Sequence, residues 1–141
     1  MISFECINVE VPEFSLELFS FWLNEVAVEE GCSIGEITLI FCSDAHLLEM
    51  NQQYLKHDYY TDIITFDYSE HTEISGDLFV SIDRVYDNAS ENTVTRELEL
   101  KRVCVHGVLH LCGYGDKSEE ESRIMRSKED YYIDKYVSRE T

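Results

Sequence analysis

Residues 96–116, with the sequence RELELKRVCVHGVLHLCGYGD, are the central segment of this 141-residue chain. Thr95 precedes them and is a residue type that commonly caps helices, and after Arg102 the sequence is almost wholly apolar as far as residue 111. A helix of this composition has to be buried on most of its sides. Gly113 then allows the turn that ends a helix. The segment therefore predicts a central helix against which other elements pack.

The segments before this helix alternate between strand and helix patterns. Apolar runs bounded by polar residues predict strands at residues 37–41, 62–66 and 76–82. Apolar side chains three and four residues apart predict helices at residues 15–28 and after a capping residue, Ser43 or Asp44.

A last helix is predicted at residues 118–136, where glutamates at 119–121 suit the positive end of the helix dipole. With a strand at the N-terminus, the order along the chain is β, α, β, α, β, β, α, α. This order predicts an α+β fold in which helices pack on a small mixed β-sheet of about four strands. No linker or repeat divides the sequence, so residues 1–141 are expected to form a single domain.

The composition excludes several classes of protein. The chain is 44% hydrophobic, which is enough for a sizeable core, so disorder is not expected. No apolar run reaches the ~18 residues of a membrane-spanning helix, and the first residues lack the pattern of a secretion signal. The five cysteines are odd in number and form no CxxC pair, so reduced thiols are expected and not a disulfide scaffold. These features predict a cytoplasmic protein that does not associate with membranes.

The net charge of −18 is distributed unevenly. Residues 1–83 contain one basic residue against 17 acidic ones, whereas residues 84–141 contain ten basic residues against 12 acidic ones. Because nucleic acids are bound largely through Lys and Arg, an anionic partner is expected to contact the second half. The alternative is that the acidity only maintains solubility.

Two histidines interrupt the apolar part of the central helix. His106 and His110 are four residues apart, which places both imidazoles on one helix face about 6 Å apart, within reach of one metal ion. The glycines at 113 and 115 let the chain turn, which could bring Asp116 to the same face. Two imidazoles, one carboxylate and an open fourth position are typical of a catalytic zinc, which activates water. The alternative is that the histidines are hydrogen-bonded core residues.

A zinc protease is the nearest competing class, because its His-Glu-x-x-His helix also carries two histidines four residues apart. In that motif the glutamate is the general base, and this chain has Gly107 in its place. The difference argues against a protease unless Glu119 or Glu120, after the turn, supplies the base.

Four short segments carry a more specific signal. They are NQQY at residues 51–54, TDIITF at 61–66, GDLFVS at 76–81 and HGVLHLCGY at 106–114. In sequence and in order they resemble the YbeY family, which consists of single-domain, metal-dependent endoribonucleases implicated in ribosomal RNA maturation and ribosome quality control. The resemblance implies RNA, ribosomal in origin, as the partner, and the ribosome or an accessory protein as a further one.

One departure from the family pattern concerns the metal. The family motif usually ends in Gly-Tyr-Asp-His, whose last histidine is the third ligand, whereas Gly115 and Asp116 stand at the matching positions here. The expected site is therefore one divalent ion held by His106, His110 and Asp116 on the central helix and the turn after it. Zinc is the first candidate, and manganese, iron and nickel are alternatives because a carboxylate oxygen is a harder ligand than imidazole.

A second departure concerns the contact with phosphate. The family commonly carries an arginine directly after the tyrosine of Asn-x-x-Tyr, and this chain has Leu55 there. Lys56 follows, and it offers a point charge without the two-pronged geometry of arginine. The other candidate contacts with RNA are Arg96, Lys101, Arg102 and Lys117; the alternative is that these are ordinary surface charges.

The sequence thus predicts a metal-dependent hydrolase that cuts single-stranded RNA, with metal-activated water as the attacking group and no further catalytic residue identified. A second hypothesis is a ribosome-associated RNA- or protein-binding factor whose metal is structural and whose nuclease activity is slight. Leu55 and the acidic charge favour that hypothesis. Asp62 and Asp77 begin predicted strands, where they either cap the strand or support a metal-binding histidine.

Overall fold

The computed structural model describes residues 1–12, 15–55 and 61–140, with side chains described as far as residue 135 in the last of these ranges. The elements are β1 (Ile2–Ile7), α1 (Leu16–Glu29), β2 (Ser33–Cys42), α2 (Asp44–Tyr54), β3 (Ile63–Asp67), β4 (Glu73–Ser81), α3 (Ile82–Glu91), α4 (Arg96–Leu111) and α5 (Glu119–Glu140). Helices pack on one small sheet, so the predicted α+β architecture is confirmed.

The four strands form a mixed sheet in the order β1-β2-β4-β3. Strands β1 and β4 each pair with β2 in parallel, and β3 pairs with β4 antiparallel. The register sets Phe4 beside Leu39 and Leu39 beside Leu78. Leu39 and Leu78 are fully buried, so the middle of the sheet forms one wall of the core. The edge strand β3 is the strand that borders the cleft described below.

Helix α4 is the central helix that the sequence predicts, and its bounds agree with that prediction. The Thr95 hydroxyl accepts a hydrogen bond from the backbone N–H of Leu98 at 3.1 Å and so caps the first turn. The helix is buried along most of its length, including Leu100, Val105 and Leu109. Its burial fixes the direction in which each of its polar side chains points.

Gly107 allows α4 to lie close to the sheet. A Cβ atom at this position would lie 2.9 Å from Ile63 Cδ1 and 3.0 Å from Leu78 Cδ1, both closer than ordinary packing permits. The Gly107 side of the helix therefore faces β3 and β4. Since neighbouring residues on a helix are about 100° apart, His106 is turned away from the sheet and towards α5.

Helix α5 is joined to α1 and to the turn after α4 by one carboxylate. Glu30, at the C-terminus of α1, accepts hydrogen bonds from the Tyr114 hydroxyl at 2.6 Å, from the Lys128 ammonium group at 3.1 Å and from the Tyr132 hydroxyl. We call these four residues the Glu30 network. Trp22 Nε1 adds a hydrogen bond to the carbonyl oxygen of Tyr132 at 3.0 Å.

Several bounds differ from the sequence prediction, including the start of β2, which lies at Ser33 and not at residue 37. Helix α3 was not predicted, and Ile82, assigned to the preceding strand, is its first residue. Ser81 ends β4 and also caps α3, because its hydroxyl accepts a hydrogen bond from the N–H of Arg84 at 3.1 Å. Strand β4 also begins earlier than predicted, at Glu73.

None of the five cysteines, all of which lie in the described ranges, forms a disulfide in this structure. Within the ranges that the structure describes, no helix has the length and apolar character needed to cross a bilayer.

Candidate active site

A cleft of about 650 Å³ opens between the edge of the sheet and the helices α4 and α5. The end of α2 and the far end of α3 also contribute to its walls. The residues that matter for its chemistry are Leu55, Asp62, Glu99, Arg102, His106, His110, Asp116, Arg126 and Glu129. The cleft therefore contains all three predicted metal ligands.

His106 is held between two carboxylates. Its Nδ1 lies 2.8 Å from Glu129 Oε2, and its Nε2 lies 3.2 Å from Asp116 Oδ2. Because a carboxylate only accepts, His106 Nδ1 carries the proton and donates to Glu129. Burial lowers the pKa of His106, but the hydrogen bond and the charge of Glu129, together with the charges of Asp116 and Asp62, outweigh burial and raise that pKa above its ordinary value.

His110 is exposed at the mouth of the cleft, one helical turn further along α4. Its Nδ1 lies 3.0 Å from the carbonyl oxygen of Tyr114, to which it donates. Both histidines therefore use Nδ1 for a hydrogen bond within the protein, and Nε2 of His106 faces the Asp116 carboxylate. This is the arrangement in which metal-binding histidines are usually held.

The turn after α4 places Asp116 next to His106, as the sequence predicts. Gly113 adopts the left-handed backbone conformation, with φ 110°, which glycine tolerates best. The Ser122 hydroxyl at the start of α5 donates to the backbone carbonyl of Asp116 at 2.9 Å. The Asp116 side chain is 45% exposed and stays accessible from the cleft. Among the residues that the structure describes, no three His, Cys, Asp or Glu side chains already stand as a complete ligand group.

Glu129 lines the cleft and contacts a predicted metal ligand, and the sequence analysis did not predict it. Its side chain is 7% exposed, and besides His106 it contacts Arg102, whose Nη1 lies 3.0 Å from Glu129 Oε1. Arg102 Nη2 lies 2.7 Å from Asp130 Oδ1, so the guanidinium group bridges two acids of α5. One feature of the sequence could have indicated that Glu129 is buried: it lies four residues after the buried Met125, within the apolar face of α5.

Comparison with known proteins decides the family. A family model described as Endoribonuclease YbeY matches residues 2–137. The chain belongs to the YbeY family. The resemblance found in the sequence is thereby confirmed.

Individual relatives give the same result. An endoribonuclease YbeY from Phocaeicola vulgatus is 50% identical over 129 residues, covering 92% of this chain and 94% of the relative. One from Flavobacterium johnsoniae is 54% identical over 124 residues, covering 86% and 89%. A solution structure of a Thermotoga maritima protein is 29% identical, with a TM-score of 0.70 over 99% of this chain and 91% of that one.

The cleft of this YbeY-family chain is acidic. Asp62 and Glu99 line it together with Asp116 and Glu129. Burial raises the pKa of Asp62, and the charge of His106 offsets only part of that effect. Burial likewise raises the pKa of Glu99, against the charge of Arg102. Asp62 was predicted either to cap its strand or to support a metal-binding histidine, and it lines the same cleft as His106. Asp77 was given the same two alternatives; it accepts a hydrogen bond from the Tyr68 hydroxyl at 3.3 Å and does not line the cleft.

The predicted contacts with phosphate separate into three groups. Arg102 lines the cleft, but Arg96 and Lys117 do not, and the Arg96 guanidinium lies over the Tyr86 ring at 4.3 Å. Lys101 is 3% exposed, lies 3.5 Å from Glu97 Oε1 and does not line the cleft, so its position supports neither the predicted contact with phosphate nor the alternative of a surface charge.

Lys56 lies outside the described residues. The carboxylates proposed as a protease base, Glu119 and Glu120, are exposed in the first turn of α5, and neither lines the cleft.

Proposed function

We propose that this chain cuts single-stranded RNA with the help of one divalent metal ion held by His106, His110 and Asp116. Membership of the YbeY family makes the chain an endoribonuclease, that is, a hydrolase that acts on RNA. The observation that carries the metal proposal is that both histidines direct Nδ1 to protein acceptors, with His106 Nε2 beside the Asp116 carboxylate.

The donor set suits such an ion. Two imidazole nitrogens and a carboxylate oxygen are accepted by zinc, our first candidate, and also by manganese, iron and nickel. A divalent ion at such a position supplies Lewis-acid chemistry, because it makes a water molecule more acidic and offsets the charge that develops on a phosphate.

The protein's own residues prepare the site. Glu129 fixes the ring of His106 through the Nδ1–H hydrogen bond, and Arg102 in turn holds Glu129. The Tyr114 carbonyl oxygen does the same for His110. Because the rings are oriented before a ligand arrives, little reorganisation is needed at the moment of binding.

The proposed substrate is ribosomal RNA during its maturation, with a further part in ribosome quality control. This role rests on the family to which the chain belongs. We propose that the protein acts in the cytoplasm, with the ribosome or an accessory protein as a partner. We further propose that residues 1–141 act as one domain, since the cleft takes its walls from segments between α2 and α5.

One observation favours the second candidate, a ribosome-associated binding factor with a structural metal. The cleft is lined by four carboxylates, and Leu55 supplies no cation to it. A structural zinc usually has four protein ligands, so a site that exchanges a water ligand would argue against this candidate. The structure gives no support to a protease, because position 107 faces the sheet and neither Glu119 nor Glu120 borders the cleft.

The proposal is tested by elemental analysis and RNA cleavage on the same protein samples. We expect one ion per chain in the parent, and loss of both the ion and cleavage in His110→Ala and Asp116→Ala. Asp87→Ala, an exposed carboxylate of α3 that does not line the cleft, is the matched control and should retain both. Metal retained in Asp116→Ala would show that another residue is the third ligand. A metal-loaded parent that does not cleave RNA would favour the binding factor.

A further inference from the structure

The cleft contains few positive charges for a partner that carries one negative charge per nucleotide. Among the described residues that line it, Arg102 and Arg126 are the permanent cations, against the carboxylates of Asp62, Glu99, Asp116 and Glu129. Binding of RNA needs cations that approach its phosphates. The question is therefore which of the two arginines is available.

Arg102 is already engaged. Its Nη1 lies 3.0 Å from Glu129 Oε1 and its Nη2 lies 2.7 Å from Asp130 Oδ1, while its side chain is only 22% exposed. A phosphate that took these nitrogens would have to displace two carboxylates and would disturb the residue that orients His106. Arg102 is thus better suited to holding Glu129 than to holding RNA.

Arg126 is in the opposite situation. Its side chain is 64% exposed, and its nearest ion-pair contact, from Nη1 to Glu129 Oε1, is 3.9 Å long, beyond hydrogen-bond distance. Ser122, Met125, Arg126 and Glu129 form the face of α5 that borders the cleft. Arg126 therefore presents a largely uncommitted guanidinium group on the same helix face as the glutamate that positions His106.

We propose that Arg126 binds a phosphate of the RNA strand in the cleft and sets where that strand runs relative to His106 and Asp116. The inference rests on the proposed function. A guanidinium group can offer two parallel N–H donors to the oxygens of one phosphate, a geometry that lysine lacks. The strand is then held from the α5 side of the cleft, which is also lined by the uncharged Leu55.

The test compares Arg126→Ala and Arg126→Lys with Arg123→Ala. Arg123 is an exposed arginine of the same helix that does not line the cleft, so its removal changes the net charge equally. Three quantities are measured on each protein: kcat and KM for cleavage of a single-stranded RNA, the salt dependence of RNA binding by the metal-free protein, and metal content.

For Arg126→Ala we expect KM to rise about tenfold with kcat changed much less, as for the loss of one charge-assisted hydrogen bond to substrate. The slope of log K against log salt should fall by about 0.7, the value for one phosphate contact on a single strand. Arg126→Lys should lie between parent and Arg126→Ala, since it keeps the charge without the fork. Arg123→Ala should match the parent within about twofold, and all variants should retain their metal.

The outcomes separate the two proposals. A parent that neither binds nor cleaves RNA would overturn the proposed function and this assignment with it. A parent that cleaves RNA while Arg126→Ala equals it, or equals Arg123→Ala, would overturn the assignment alone. Loss of metal from Arg126→Ala would also overturn it, because the arginine would then act through Glu129 and not on RNA.

Discussion

Two carboxylates, one that belongs to α5 and one that α5 contacts, are almost equally buried but have different partners. The side chains of Glu129 and Glu30 are 7% and 8% exposed, and each accepts hydrogen bonds from more than one donor. Glu129 contacts His106 and Arg102 in the cleft. We call these three residues the Glu129 network. The Glu30 network instead joins α1, α5 and the turn after α4 through two tyrosine hydroxyls and one lysine.

The difference shows that burial of a charge does not reveal its role. The hydrogen-bond donors determine the role of each carboxylate. Glu129 accepts from a histidine and so orients its ring, whereas Glu30 accepts from two tyrosine hydroxyls that bind no ligand and so holds parts of the fold together. Either carboxylate would cost several kcal/mol if it were left without partners. We therefore expect substitutions in the Glu129 network to lower metal affinity and substitutions in the Glu30 network to lower the free energy of unfolding.

The largest effect is expected from Glu129→Gln. Removing the charge weakens the hydrogen bond that holds His106 Nδ1–H, so we expect the affinity for the metal ion to fall by about 10- to 100-fold, with cleavage falling in parallel at limiting metal. The measurement is metal titration of the metal-free protein by calorimetry or competition with a chelator.

Asp130→Asn is the matched control for that change. It removes the other acid that contacts Arg102 but leaves the carboxylate on His106 in place. Metal affinity should stay within about threefold of the parent. Equal losses in the two variants would mean that Arg102, and not the contact with His106, carries the effect.

The next largest effect is expected from Glu30→Gln, and it should appear in the stability of the fold. The substitution removes the charge that three donors share, and we expect the free energy of unfolding to drop by about 2 kcal/mol. Metal affinity should change by less than about threefold, because Glu30 contacts Tyr114 and not the histidines themselves. Denaturant unfolding of the metal-free proteins measures the first quantity, and metal titration measures the second.

The loss of stability in Glu30→Gln should depend on pH. Burial raises the pKa of Glu30, but the hydrogen bonds from Tyr114, Tyr132 and Lys128 outweigh it and lower that pKa below the ordinary value. The stabilisation is therefore complete above the unfolded pKa of about 4.3 and is lost as the pH falls through the lower, folded value. The stability difference between parent and Glu30→Gln should shrink on acidification below about pH 4. A difference that grows there would contradict the assigned direction.

The smallest effect is expected from Lys128→Met, which keeps the aliphatic stem and removes the ammonium group. The Lys128 side chain is 36% exposed, so solvent screens its ion pair with Glu30. We expect the free energy of unfolding to fall by less than about 1 kcal/mol, and raised salt should remove part of the difference. A loss as large as that of Glu30→Gln would show that the lysine, and not the tyrosines, dominates the Glu30 network.

The parts of the molecule that follow from local sequence were predictable. Thr95, the apolar run after it and Gly113 determine α4, and the spacing of His106 and His110 determines their common face. Helix α3 was missed although Ile82, Val85 and Ala89 have helical spacing, because Ser81 and Ile82 also complete the apolar alternation of β4. Because Ser81 both ends β4 and caps α3, the sequence around it fits a strand as well as the start of a helix.

The parts that depend on packing were not predictable from one sequence. Glu129 lies 23 residues from His106 and among other charged residues, so a solvated helix face is the ordinary interpretation of it. Lys101 was predicted to be a contact with RNA or an ordinary surface charge, but the packing of α4 buries it. In both cases the burial of the residue depends on which side of its helix packs against the neighbouring element.

The close approach at Gly107 limits how far this molecule can be redesigned. One substitution at that position would reproduce the His-Glu-x-x-His motif of zinc proteases in the sequence. In this fold, however, the new side chain would be driven into Ile63 and Leu78, into the core and away from the cleft. The zinc-protease motif is thus one substitution away in the sequence, but the position of α4 on the sheet directs residue 107 towards Ile63 and Leu78 and not towards the histidines.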